Sequence, residues 1–190
     1  MHNPTELNKD DVQILFADLQ VEIVSRCKTT PPPVLASSVN VLARMARLLE
    51  IPIILSVVPE DGRTPELIPE LAKETTGLPQ FMRTGSKLDE RTKEALAANR
   101  RNTIIISGFA TEAVVLHAVT AAIAGGYRVL IPVDACGGLS ERTEAAAFRQ
   151  IEAFGGETTS VVTLATALVP DFSSDLGQRL FSILQQLRLA

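Results

Sequence analysis

Five short, nearly unbroken apolar stretches recur between longer amphipathic segments: VQILFADL (12–19), PIILSVV (52–58), NTIIISG (102–108), RVLIPVD (128–134) and TTSVVT (158–163). They are rich in β-branched residues and too short for core helices, and they lack the polar alternation of a sheet with one wet face. Strands buried on both faces read this way, and such strands belong to parallel sheets covered by helices. A further short strand is expected at PQFMR (79–83).

The intervening segments carry helical periodicity. Residues 34–50 place Leu35, Val39, Leu42, Met45 and Leu49 on one face. Residues 88–99 open on acidic side chains that suit a helix N-terminus. Residues 111–124 open on Thr-Glu and stop at Gly125-Gly126, and 141–154 stop at Gly155-Gly156. A last helix over 171–188 follows Pro170, with Asp171 and Ser173 as capping candidates. Strand and helix in alternation predict right-handed crossovers and a three-layer α/β/α sandwich. PEDGRTPELIP (59–69) reads as a surface loop, and no stretch reads as a domain linker.

Composition narrows the chemistry. The 190 residues are 46% hydrophobic and 21% charged with a net charge of −4, and Lys and Arg are scattered. No basic face is available to attract nucleic acid or an anionic membrane, and no apolar run reaches the roughly 20 residues that span a bilayer. The polar opening MHNPTELNKDD lacks the apolar core of a signal peptide, and the two cysteines, Cys27 and Cys136, are not spaced as a metal knuckle. The protein is therefore read as cytoplasmic. GxGxxG, GxxxxGK[ST] and GxSxG are all absent, and the only histidines are His2 and His117. The sequence calls for no cofactor and no metal.

In open parallel sheets ligands bind at the carboxyl ends of the strands. Read there, the polar residues are Asp18 with Gln20, Ser56, Arg83, Gly108 before Thr111-Glu112, and Asp134 before Cys136. Taken singly, each has a structural role available. Asp18 pairs with a neighbouring Arg, Arg83 lies on the surface beside Lys87, Thr111 caps its helix, Asp134 makes a turn with the backbone two positions on, and Cys136 is a small buried residue.

Taken together, LFADLQ, IISGFATEAVV and GYRVLIPVDACGG resemble the isochorismatase-like (cysteine hydrolase) family, in the family's order, from about residue 10 to 165. The resemblance implies one domain over 1–190 and a mostly parallel six-stranded Rossmann-like sheet of order 3-2-1-4-5-6. It implies a small-molecule substrate or ligand and a homo-oligomer. It also implies an Asp-Lys-Cys triad, onto which Asp18, Arg83 and Val114 fall, with Lys87 as a second choice for the lysine. Gln20, Lys87, Ala110, Thr111 and Ala113 fall beside the substrate, and the backbone amides of Ala113 and Val114 fall on the oxyanion hole.

Two of the three triad positions depart from the pattern. Valine has no lone pair with which to form an acyl-enzyme, so thiol-dependent amide hydrolysis is expected to be lost. Family members without the Cys use the Asp as a general acid on a vinyl ether. Here Arg83 is expected to lower the pKa of Asp18 and oppose that role. Two readings stand: a hydrolase with a thiol-free mechanism, and a non-catalytic small-molecule-binding or assembly protein.

Overall fold

The computed structural model describes residues 7–188 except 61, 62 and 64. The apolar stretches become the strands β1 (Val12–Ala17), β2 (Ile53–Val57), β4 (Thr103–Phe109) and β5 (Arg128–Pro132), with β3 (Gln80–Met82) and β7 (Glu157–Thr159) at the two edges. Every residue of β1, β2 and β4 is buried, as strands covered on both faces must be. Ile14, Leu15 and Phe16 are each at most 1% exposed, and each such side chain contributes about 1.5–3 kcal/mol by leaving water.

All pairings are parallel, and the order is β3-β2-β1-β4-β5-β7. The six expected strands thus lie in the expected order 3-2-1-4-5-6. Among the described residues the sheet nevertheless has seven strands, not six: a two-residue β6 (Cys136–Gly137) pairs with the end of β4 beyond β5. In the register, Ile14 lies between Ile53 and Ile105, and Ala17 lies between Ser56 and Gly108.

The helices are α1 (Val21–Val24), α2 (Pro32–Leu49), α3 (Pro69–Ala72), α4 (Glu90–Ala98), α5 (Leu116–Ala124), α6 (Glu141–Ala153), α7 (Val161–Leu168) and α8 (Asp175–Leu184). Helix α2 starts on Pro, whose missing N–H costs nothing at that position, and all five of its predicted core residues are buried. With α3, α7 and α8 it covers one face of the sheet; α4, α5 and α6 cover the other.

Three local expectations are corrected. Residues 158–163 are not one strand: β7 ends at Thr159, and Ser160 starts α7 by accepting from Thr163 N at 3.1 Å. The last helix begins at Asp175, capped by Ser174 rather than by Asp171 or Ser173, because Asp171 and Ser173 bond each other in the preceding turn. Asp134 does not close a turn two positions on. Its carboxylate accepts from Val161 N, 27 residues later, at 2.9 and 3.2 Å, and so serves the N-terminus of α7. The loop 59–69 is a loop except that Pro69 opens α3; residues 61, 62 and 64 lie outside the described residues.

Candidate active site

Asp18 follows the last residue of β1 and leaves the strand with φ of 54°, a left-handed backbone that a non-glycine residue rarely adopts. Its N–H donates to Ser56 O at 2.9 Å, and Arg83 N–H donates to Val57 O at 2.9 Å. The ends of β1, β2 and β3 are thereby knitted together. Across them Arg83 Nη2 donates to Asp18 Oδ2, and Nη1 donates to Gly85 O. The two side chains are only 5% and 10% exposed. Arg83 is therefore the partner of Asp18, whereas Lys87 is exposed on the following loop.

This burial reverses one expectation. Loss of water around the carboxylate pushes Asp18 up from the ordinary 3.8 to about 6 and outweighs the lowering by the Arg83 charge and hydrogen bond. The pair is one of opposite charges, yet its acid is weakened, because enclosure removes more stabilisation from the carboxylate than one guanidinium restores.

The strand–helix turn follows β4, which pairs with β1 through Ala17 and Gly108. At Gly108 a Cβ would lie 2.5 Å from Ala17 O and 3.2 Å from Val115 Cγ2, so only glycine lets β4 pass this close to β1. The Phe109–Ala110 peptide is cis. Thr111–Val115 then form one π-helical turn that continues into α5. Ala110 and Val114 are buried and Ala113 is exposed, so the turn presents small apolar side chains. Val114 packs in the apolar layer that includes Ala17, Leu88 and Val115. The Ala113 N–H already donates to Ala110 O at 3.0 Å.

Thr111 does not cap the turn. Its hydroxyl lies 3.0 Å from Gly137 O and 2.8 Å from Glu144 Oε1, and its single proton serves one of them at a time. Glu112 Oε1 accepts from Leu139 N at 2.9 Å and from Thr143 Oγ1 at 2.6 Å. These two side chains fasten the turn to β6 and to α6. Sequence reading passed over Glu144; its only signal was an acidic residue in the first turn of α6. Gln20, wholly buried, clamps the loop after β2: Nε2 donates to Val58 O at 3.0 Å and Oε1 accepts from Val58 N at 2.9 Å.

Both cysteines are buried. Cys136 is wholly buried, points its thiol at Ile106 O, and is pushed up to about 12 by burial. Cys27 is buried against Gly137. Among the described residues no group of three His, Cys, Asp or Glu side chains is placed to hold a metal ion, and no helix is long and apolar enough to cross a membrane. A concavity of about 1050 Å³ lies at the opposite end of the sheet. There Asp11 accepts from Asn102 and Thr103.

Known proteins share this fold. The chain is 27% identical over 173 residues to the probable hydrolase YcaC of Escherichia coli (strain K12), covering 90% of this chain and 83% of that protein. Its structure superposes on that of YcaC from Pseudomonas aeruginosa, solved with hexane-2,5-diol and covalent acrylamide, with a TM-score of 0.90 at 26% identity, covering 98% and 94% of the two chains. For the Escherichia coli YcaC crystal structure, described as an octameric hydrolase of unknown specificity, the TM-score is 0.88 at 27% identity, covering 96% and 92%. The isochorismatase domain model matches residues 12–163, most of the chain, and the protein belongs to the isochorismatase family.

Proposed function

We propose that the protein is a small-molecule hydrolase of this family that works without a protein thiol, with Asp18 as the proton-transfer group. One observation carries the reading: a buried, ion-paired carboxyl titrating at about 6 stands beside a strand–helix turn with Val114 at the resemblance's cysteine position. Valine cannot form an acyl-enzyme, and the Cys136 thiol is held protonated. A carboxyl of pKa about 6 is protonated in about a tenth of molecules at neutral pH, enough to donate to a vinyl-ether substrate and to accept a proton from water afterwards. Arg83 fixes the carboxyl in place. Ala110 and Ala113 form the wall of the site, while Thr111 and Gln20 act on it through the turn and the loop that they hold.

The reading of a non-catalytic binder has less support. A binder of this kind would grip a ligand carboxylate with the Arg83 fork, and both terminal nitrogens of that fork are engaged by Asp18 and Gly85. Homo-oligomeric assembly is part of the proposal, supported by the octameric relative. The test is turnover of isochorismate and of a panel of small amides by the wild-type and Asp18→Asn proteins. Vinyl-ether hydrolysis that falls at least about 100-fold in Asp18→Asn, with the fold retained, supports the proposal. Turnover indifferent to Asp18, or an acyl adduct trapped on the wild-type protein, contradicts it. Thermal stabilisation by a ligand that is never converted favours the binder.

A further inference from the structure

Ser56 on β2 is 1% exposed. The register sets it beside Ala17 of β1 and Phe81 of β3, and paired residues of parallel strands project from the same face. That face carries an apolar layer that includes Ala17, Ile54, Leu88 and Val114. A hydroxyl is out of character there. Ser56 Oγ has no hydrogen-bond partner among the described residues, and a buried hydroxyl left unpaired is destabilising, so alanine would suit the packing better.

Two neighbours share this condition. Of the five unpartnered buried polar side-chain atoms among the described residues, three are Ser56 Oγ, Asp18 Oδ1 and Arg83 Nε. All three side chains are at least nine-tenths buried. All three stand at the carboxyl ends of adjacent strands, where the Asp18–Arg83 pair bridges β1 to β3 across the end of β2. The same want of a partner at three such groups in one place points to a ligand atom that satisfies them.

We propose that Ser56 Oγ, Asp18 Oδ1 and Arg83 Nε form a subsite for one amphiprotic oxygen, a water molecule or a substrate hydroxyl. The donor and acceptor inventory selects this chemistry. Arg83 Nε–H only donates, an ionised Asp18 Oδ1 only accepts, and a serine hydroxyl does either. An atom that accepts from Arg83 and donates to Asp18 needs both a lone pair and a hydrogen. Carbonyl, ether and carboxylate oxygens lack the hydrogen; an ammonium lacks the lone pair. Ser56 is then a positioning residue that holds the oxygen against the proton-transfer group. This deepens the hydrolase reading and rests on it for the role of Asp18.

The test uses the full chain and needs no turnover. Crystals of the wild-type protein should show an oxygen within hydrogen-bonding distance of Ser56 Oγ and of Asp18 Oδ1 or Arg83 Nε, absent in Ser56→Ala and present in Ser56→Thr. Its presence without additive identifies water; its appearance only after a propan-2-ol soak identifies a hydroxyl subsite. Carbon-13 NMR of the Asp18 carboxyl should show its titration midpoint moved by about half a pH unit or more in Ser56→Ala and restored in Ser56→Thr. No oxygen in either wild-type crystal, Ser56 Oγ bonded to a backbone carbonyl, or an unmoved midpoint overturns the proposal. Turnover that ignores Asp18 would sink the hydrolase reading and leave these readouts intact.

Discussion

Replacing Asp18 with Asn tests whether burial or Arg83 governs the site. The carboxyl rises from 3.8 to about 6 because enclosure outweighs the opposing guanidinium. Its pKa is higher folded than unfolded, so the folded protein binds this proton more tightly. The stability contributed by the protonated form is complete below pH 3.8 and is lost as pH rises through about 6. A gap of about 2 pH units corresponds to about 3 kcal/mol. Asparagine cannot ionise, so Asp18→Asn should gain on the wild type across that window, levelling off about 3 kcal/mol above its acid value. The constant part of the difference, set by how a neutral amide partners Arg83, does not affect the slope. The assay is urea unfolding of both proteins from about pH 3.5 to about 7.5 at one protein concentration, because the stability of a protein that assembles depends on its concentration. A difference curve that is flat, or that falls as pH rises, would mean that Asp18 is a permanent carboxylate and that its acid role is wrong.

Val114→Cys removes little volume, costs about 1 kcal/mol, and places a thiol on the π turn; acrylamide should label it by mass spectrometry and do so more slowly when Asp18→Asn is added, while native wild-type Cys27 and Cys136 stay unlabelled. Equal labelling with and without Asp18 would show that the carboxyl does not reach this position. Gly108→Ala drives a Cβ to 2.5 Å from Ala17 O and should cost about 2–3 kcal/mol, read as a lower Tm. Asp134→Ala leaves the first amide of α7 without its carboxylate and should cost about 1 kcal/mol in the same scan; an unchanged Tm would show the cap to be idle.

What was legible in the sequence follows from local rules. Strands covered on both faces lose their polar alternation, so β1, β2, β4 and β5 declared themselves, and the three- and four-residue steps of α2 named its buried face correctly. Element ends were less legible where the partner lay far along the chain. TTSVVT has strand composition throughout, yet Ser160 caps α7 within it and Asp134, 27 residues before Val161, accepts the Val161 amide. Thr111 sits where a cap is expected, but Gly137 and Glu144 hold its hydroxyl.

The site divides in the same way. Sequence order alone places Asp18, Arg83 and the GFATEAVV turn at strand ends, because a parallel sheet puts every carboxyl end on one side. It also determines that position 114 has no nucleophile, since that is a matter of residue identity. The strength of the Asp18 acid was decided only by the fold. Its value is the difference between two large opposing effects, loss of water and the charge of an arginine 65 residues away. Their balance depends on how closely the ends of β1, β2 and β3 are packed around the pair, which no local pattern of residues records.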